Sequence, residues 1–71
     1  MTSDAAGIKL QAAHENLIAA VKAQNEMAVI VYAEQAGFER MVPLAAAVNQ
    51  AHRAEDWAST LLVKAIAAEY R

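Results

Sequence analysis

The sequence predicts an all-α protein in which two long antiparallel helices form a helical hairpin. Nineteen of the 71 residues are alanine, and larger aliphatic residues recur among them at helical spacing. The single proline and one of the two glycines fall near the middle of the chain, where a turn would separate the helices. We therefore interpret residues 1–71 as a single helical domain. The alternative is a monomeric bundle of three or four shorter helices.

The first predicted helix covers about residues 4–36. Ser3 or Asp4 can accept hydrogen bonds from the free amides of its first turn, although Gly7 also allows a start nearer Ile8. Two rows with a seven-residue repeat line one side of this helix: Leu10, Leu17, Gln24 and Val31, and Ala13, Ala20 and Met27. Polar residues opposite these rows make the helix amphipathic.

The turn is predicted at residues 37–42, because Gly37 can take the left-handed conformation that ends a helix. The second helix covers about residues 43–70. Pro43 suits its first position, where the missing amide would have had no partner. Its predicted rows are Leu44, Ala51, Ala58 and Ala65, and Ala47, Ala54, Leu61 and Ala68, and Val48 and Leu62 broaden the same face.

Three segments leave alternatives open. Residues 29–32 are rich in β-branched and aromatic side chains and could form a buried strand, but helical periodicity continues on both sides. Breaks near Gln24–Asn25 or His52–Glu55 would instead give shorter helices.

The position of the turn determines which residues face each other. A turn centred near residues 39–40 would set Gln24 opposite about Glu55, and His14 opposite the region of Ala65. A polar residue such as Gln24 in a core row more often fixes register or oligomeric state than binds a ligand.

Helix length and apolar surface predict a homodimer. A helix of about 30 residues extends about 45 Å, whereas a globule of this size has a radius of gyration of about 11 Å. Residues 27–33 are apolar around almost the whole circumference, and one neighbouring helix covers only one side. Two hairpins would form a four-helix bundle. The predicted dimer-interface residues are Val29, Ile30, Ile18, Leu62 and Ile66.

Composition excludes several classes of function. The net charge is −2 and the six Lys and Arg residues are scattered, so nucleic-acid binding is disfavoured. The absence of cysteine excludes disulfides and thiolate metal sites. No apolar run approaches the roughly 20 residues of a membrane helix, and no leader peptide is apparent. We predict a cytoplasmic protein without a membrane partner.

No residue pattern predicts catalysis, a cofactor or a metal site. His14 and His52 would lie far apart in the hairpin, and pairing with acidic side chains is their simpler role. Ser59 and Thr60 lie within a helix, where hydroxyls bond to the preceding turn. Two glycines cannot form a phosphate-binding loop. We therefore predict a protein that is not an enzyme.

Aromatic and turn residues are the predicted partner contacts. Trp57 lies at the edge of the alanine rows, with Arg53 able to rest on its ring, and it either covers Leu61 or anchors a partner. Residues near the turn either close the end of the bundle or bind a partner protein. The predicted partner-binding residues are Trp57, Arg53, Phe38, Arg40, Met41 and Tyr32.

These features predict a small protein-binding module, a regulator or inhibitor that docks on a larger protein. Its size and acidic composition are typical of phage and mobile-element regulators. One alternative is a structural or assembly subunit of a larger complex. A third is a nucleic-acid-associated regulator whose second helix enters a groove, which Glu55 and Asp56 disfavour.

Overall fold

A computed structural model, which describes residues 1–70, shows an all-helical chain folded as a hairpin. Helix α1 covers Ser3–Glu34, a short 3-10 helix covers Phe38–Arg40, and α2 covers Met41–Glu69. The predicted all-α hairpin of two long helices is therefore confirmed. The hairpin measures 57 × 14 × 11 Å. Arg71, the last residue of the predicted domain, lies outside the described residues.

Both long helices are continuous. α1 passes through Gln24–Asn25 and α2 through His52–Glu55 without a break, and residues 29–32 are helical rather than a strand. The alanines and long unbranched side chains around these segments favour the helix, and their helical preference outweighs the β-branched residues.

α1 begins one residue earlier than predicted, and its capping residue is Thr2 rather than Ser3 or Asp4. Thr2 has an extended backbone (φ −78°, ψ 159°), and its hydroxyl accepts a hydrogen bond from the Ala5 N–H at 3.2 Å. Ser3 is engaged elsewhere, because its hydroxyl donates to the carboxylate of Glu69.

The turn lies about two residues earlier than predicted. α1 ends at Glu34 because Gln35 takes the left-handed conformation, with φ 52°. Gly37 is also left-handed (φ 79°), but it precedes the 3-10 helix instead of ending α1. α2 consequently begins at Met41. Pro43 is its third residue rather than its first, still within the turn whose amides have no intrahelical acceptor.

Two side-chain contacts between the helices define their register. The backbone N–H and the hydroxyl of Ser3 each donate to a carboxylate oxygen of Glu69 at 2.7 Å. Nearer the middle, His14 Nδ1 lies 2.6 Å from Glu55 Oε2. Ser3 lowers the pKa of Glu69, because hydrogen bonds to the carboxylate favour its charged form.

The register predicted from the sequence is wrong by about seven residues at the Ser3–Glu69 contact and by about ten at the His14–Glu55 contact. His14 reaches Glu55 instead of the region of Ala65, and Gln24 lies opposite about residues 45–48. Displacements of seven and of ten residues both keep the alternating three- and four-residue spacing of the seam. Periodicity alone therefore could not distinguish the two registers.

The seam between the helices consists mainly of small side chains. Five of the 70 described residues are buried: Ala6, Leu17, Val31, Ala58 and Ala65. The seam positions of α1 alternate by three and four residues from Ser3 to Val31. Those of α2 do the same: Met41, Leu44, Val48, Ala51, Glu55, Ala58, Leu62 and Ala65, all buried or half-buried.

One of the two rows predicted for α2 is wrong. Ala47, Ala54 and Ala68 are exposed and Leu61 is half-buried, whereas the row of Met41, Val48 and Leu62 faces α1. Alanine occurs on most faces of α2, so the hydrophobic periodicity there has little contrast.

Candidate protein-binding surfaces

The hairpin exposes more surface than a compact protein of its mass. Its accessible area is 5292 Å², whereas a compact monomer of 7.6 kDa would expose about 4300 Å². Much of this surplus is apolar. The exposed large apolar side chains are Met1, Ile8, Ile18, Val29, Ile30, Tyr32, Phe38, Val42, Trp57, Val63, Ile66 and Tyr70.

A groove of ≈ 310 Å³ runs along one flank of the seam, and we call it the Trp57 groove. Its lining residues are Lys9, Ala12, Ala13, Asn16, Ala54, Trp57, Ala58 and Leu61. Trp57 is 60% exposed, so it forms a wall of the groove rather than completing the core. The floor of the groove consists mainly of alanines, whose small side chains leave room for a partner side chain to reach the seam.

The charges at the Trp57 groove are positive. Lys64 Nζ lies 5.9 Å from the centroid of the Trp57 ring, in the place predicted for Arg53. Lys64 is two helical turns beyond Trp57 and therefore shares its face. Lys9 lines the groove from α1. An aromatic side chain with cations around it matches an apolar partner segment that carries acidic groups.

The other predicted partner contacts lie at the turn. Tyr32 and Phe38 are 81% and 63% exposed, so they do not close the end of the hairpin. Arg40 Nη1 lies 3.7 Å from Glu34 Oε2 on the surface, and Met41 is half-buried in the seam. The structure therefore groups Tyr32, Phe38 and Arg40 at one end. Trp57 lies about 24 Å along α2 from Met41.

The five predicted interface residues do not form one patch. Leu62 is half-buried in the seam. Ile18 follows a buried seam residue and Ile30 precedes one, so they project to opposite flanks. Val29 lies on the outer side of α1, away from α2. Ile66 follows a seam residue of α2 and shares the flank of Ile18.

The flank opposite the Trp57 groove has very little charge. On each helix, the residues that line the Trp57 groove, such as Lys9 and Trp57, come immediately before a seam residue in the sequence. The residues that come immediately after a seam residue therefore lie on the opposite flank of the seam. We call this the low-charge flank. It comprises Asp4, Gly7, Gln11, His14, Ile18, Val21, Asn25, Ala28 and Tyr32 of α1, and Val42, Ala45, Asn49, His52, Asp56, Ser59, Val63, Ile66 and Tyr70 near or in α2.

This flank contains no Lys, Arg or Glu, and its acids are Asp4 and Asp56. It also contains half of the exposed large apolar side chains, including Ile18, Val63 and Ile66. A hollow of ≈ 470 Å³ on α1 borders it, lined by Leu17, Ile18, Val21, Lys22, Asn25 and Glu26. Sequence analysis missed this surface. The sequence feature that marks this surface is its small number of charged residues. That feature can be recognised only after the residues of the seam are known.

His14 pairs with Glu55 across the seam, and within residues 1–70 no three His, Cys, Asp or Glu side chains converge to hold a metal ion. No described helix combines the length and apolarity that crossing a bilayer requires. No family model, curated protein or solved structure matches the chain.

Proposed function

We propose that this protein is a non-enzymatic binding module that works as a homodimeric four-helix bundle. We further propose that it is a regulator or inhibitor that docks on a larger protein. The observation that carries the proposal is the surplus of exposed surface.

The size of that surplus supports dimerisation. The accessible area exceeds that of a compact monomer by about 1000 Å². One partner in a standard protein interface buries about 800 Å². Among residues 1–70 only five are buried, and three of these are alanines, which contribute little hydrophobic free energy. A second copy would supply the missing burial.

Docking on the larger protein is assigned to the Trp57 groove. Tryptophan is one of the residue types that are enriched at binding hot spots. Lys64 beside the ring and Lys9 in the wall favour an acidic, apolar segment as the occupant. Phe38 and Arg40 at the turn give the partner a second, smaller contact.

An assembly subunit is the second candidate, and a specific observation favours it. Ile8 and Val29 are each 70% exposed on the outer side of α1, remote from both flanks of the seam. A dimer that buries only the flanks of the seam would leave these two side chains exposed to solvent. An assembly that grows by adding further copies could cover them. Growth past two copies with increasing concentration would favour this candidate.

Affinity capture with matched variants tests docking. The native protein, Trp57→Ala and Ile8→Ala would each be immobilised and exposed to a lysate of the source cells. Both substitutions truncate an exposed apolar side chain, so neither should reduce helicity. We expect a protein that the native chain and Ile8→Ala retain and Trp57→Ala loses. Equal retention by all three would contradict the assigned groove, and no specific retention by the native chain would contradict docking.

A further inference from the structure

We propose that two copies pair through the low-charge flank about a two-fold axis perpendicular to the helices, so that their turns lie at opposite ends. This inference rests on the proposed homodimer and specifies its surface and orientation. The occupant of the low-charge flank is therefore a second copy of this chain.

Charge distribution selects this flank. The centre of a protein interface is depleted of charged residues, because burying an unpaired charge is costly. The charged residues of the low-charge flank itself are Asp4, in the first turn of α1, and Asp56. The carboxylate of the seam residue Glu55 reaches the edge of this flank, where it is paired with His14. The opposite flank has Lys9 and Lys64 around the Trp57 groove, where two copies would bring like charges together. Pairing through the low-charge flank also leaves that groove open for the larger partner.

The residues of α1 on this flank are self-complementary. An antiparallel pairing of α1 with its copy, centred between residues 19 and 20, sets Ile18 against Val21 of the second copy. It also sets His14 against Asn25 of the second copy. Apolar residues then meet at the axis, and polar residues meet farther out.

α2 pairs like with like about the same axis, but in the opposite order. Pairing centred near residue 54 sets His52 against Asp56, and Asn49 against Ser59, of the second copy near the axis. Farther out it sets Ala45 against Val63, and Val42 against Ile66. The Ser3–Glu69 and His14–Glu55 contacts set residues 19–20 opposite about residues 50–53 of α2. The centre near residue 54 therefore agrees with this position to within about one helical turn, or about 5 Å along the helix. One axis can serve both helices.

The other two-fold orientation is less complementary. With the axis parallel to the helices, each α1 would pack on α2 of the second copy at the register seen within the hairpin. In the register midway between the Ser3–Glu69 and His14–Glu55 contacts, Ile18 would then face about His52, and Val21 would face about Asn49. Apolar side chains would lie against polar ones at the centre of the interface, and the buried amide of Asn49 would lack a partner.

Distance measurement between labelled turns distinguishes these orientations. The chain has no cysteine, so Glu39→Cys in the exposed turn gives one site for a nitroxide label. Double electron–electron resonance should give a distance between copies of about 45–50 Å, twice the rise from the axis to the turn. Turns at the same end would lie within about 25 Å, given helix spacings of about 8–10 Å.

Two lysine substitutions test the surface. Val63 lies on the low-charge flank and Val29 on the outer side of α1, and the two are 64% and 70% exposed. Val63→Lys should raise the dimer dissociation constant at least about tenfold, since the two-fold axis places the charge in the interface twice. Val29→Lys should leave it unchanged. Circular dichroism would establish that both variants remain helical.

The outcomes separate the two proposals. A dimer whose turns lie close together, or one that Val29→Lys weakens and Val63→Lys does not, would overturn this inference and leave the homodimer standing. A chain that stays monomeric at every concentration would overturn both.

Discussion

Ser3 holds Glu69 with two hydrogen bonds, one from its backbone N–H and one from its hydroxyl, each 2.7 Å long. These bonds join the first turn of α1 to the last turn of α2 at the open end of the hairpin. They involve the charged carboxylate, which is why the pKa of Glu69 is lowered.

This contact predicts a loss of stability in acid. Because folding lowers the pKa of Glu69, its contribution is present at neutral pH and is lost as the pH falls below 4.5 and through the folded value. Glu69→Gln should therefore lower the melting temperature slightly at pH 7 and reduce the difference between pH 7 and pH 3. Glu26→Gln is the control, and an equal effect of both variants would exclude a specific role for Glu69.

Two valines of α1 give a matched test of the seam. Val31 is 2% exposed and Val29 is 70% exposed. Val31→Ala should lower the free energy of unfolding by about 1.5–3 kcal/mol, because it removes buried methyl groups and leaves a cavity. Val29→Ala should change it by less than about 0.5 kcal/mol. Urea titrations at equal protein concentration would measure both, and similar losses would contradict the assigned seam.

The alanines of the seam predict sensitivity to larger side chains. Ala58 is 6% exposed and faces α1, so Ala58→Leu should force the helices apart and cost about 1–3 kcal/mol. Ala67 is exposed on the outer side of α2, and Ala67→Leu should be nearly neutral. Thermal melts of the two variants would show the difference. A stabilising Ala58→Leu would mean that the seam contains unfilled space.

Replacing each of the two glycines with alanine should change the free energy of unfolding in opposite directions. Gly37 has φ 79°, and an added Cβ would lie 3.1 Å from Arg40 Nε, so Gly37→Ala should destabilise by about 1 kcal/mol. Gly7 lies inside α1, and an added Cβ would have nothing within 4 Å. Gly7→Ala should stabilise by about 0.5–1 kcal/mol. Chemical denaturation would measure both, and a stabilising Gly37→Ala would contradict the described turn.

The helices could be predicted from the sequence because their periodicity extends over many turns. The rows through Leu17 and Val31 in α1, and through Ala58 and Ala65 in α2, are the rows that the structure buries. The residues at which the helices begin and end were less predictable. Thr2 replaced Ser3 as the cap because Ser3 bonds to a residue at the other end of the chain, which local sequence does not reveal.

The register and the binding surfaces depend on tertiary geometry. The left-handed conformation of Gln35 shortened α1, and no residue type at that position required it. The pairing of His14 with Glu55 followed from the resulting register. Trp57 was recognised as a candidate contact from its residue type and position. The low-charge flank was not, because its two halves come from separate helices that only the folded hairpin brings to one side.

Sedimentation equilibrium from micromolar to millimolar concentration tests the central claim, that a second copy covers the surplus apolar surface. We expect a concentration-dependent shift from 7.6 kDa to about 15 kDa, with no further growth. A mass of 7.6 kDa at every concentration would contradict it, because the exposed flank would then have no partner of its own kind.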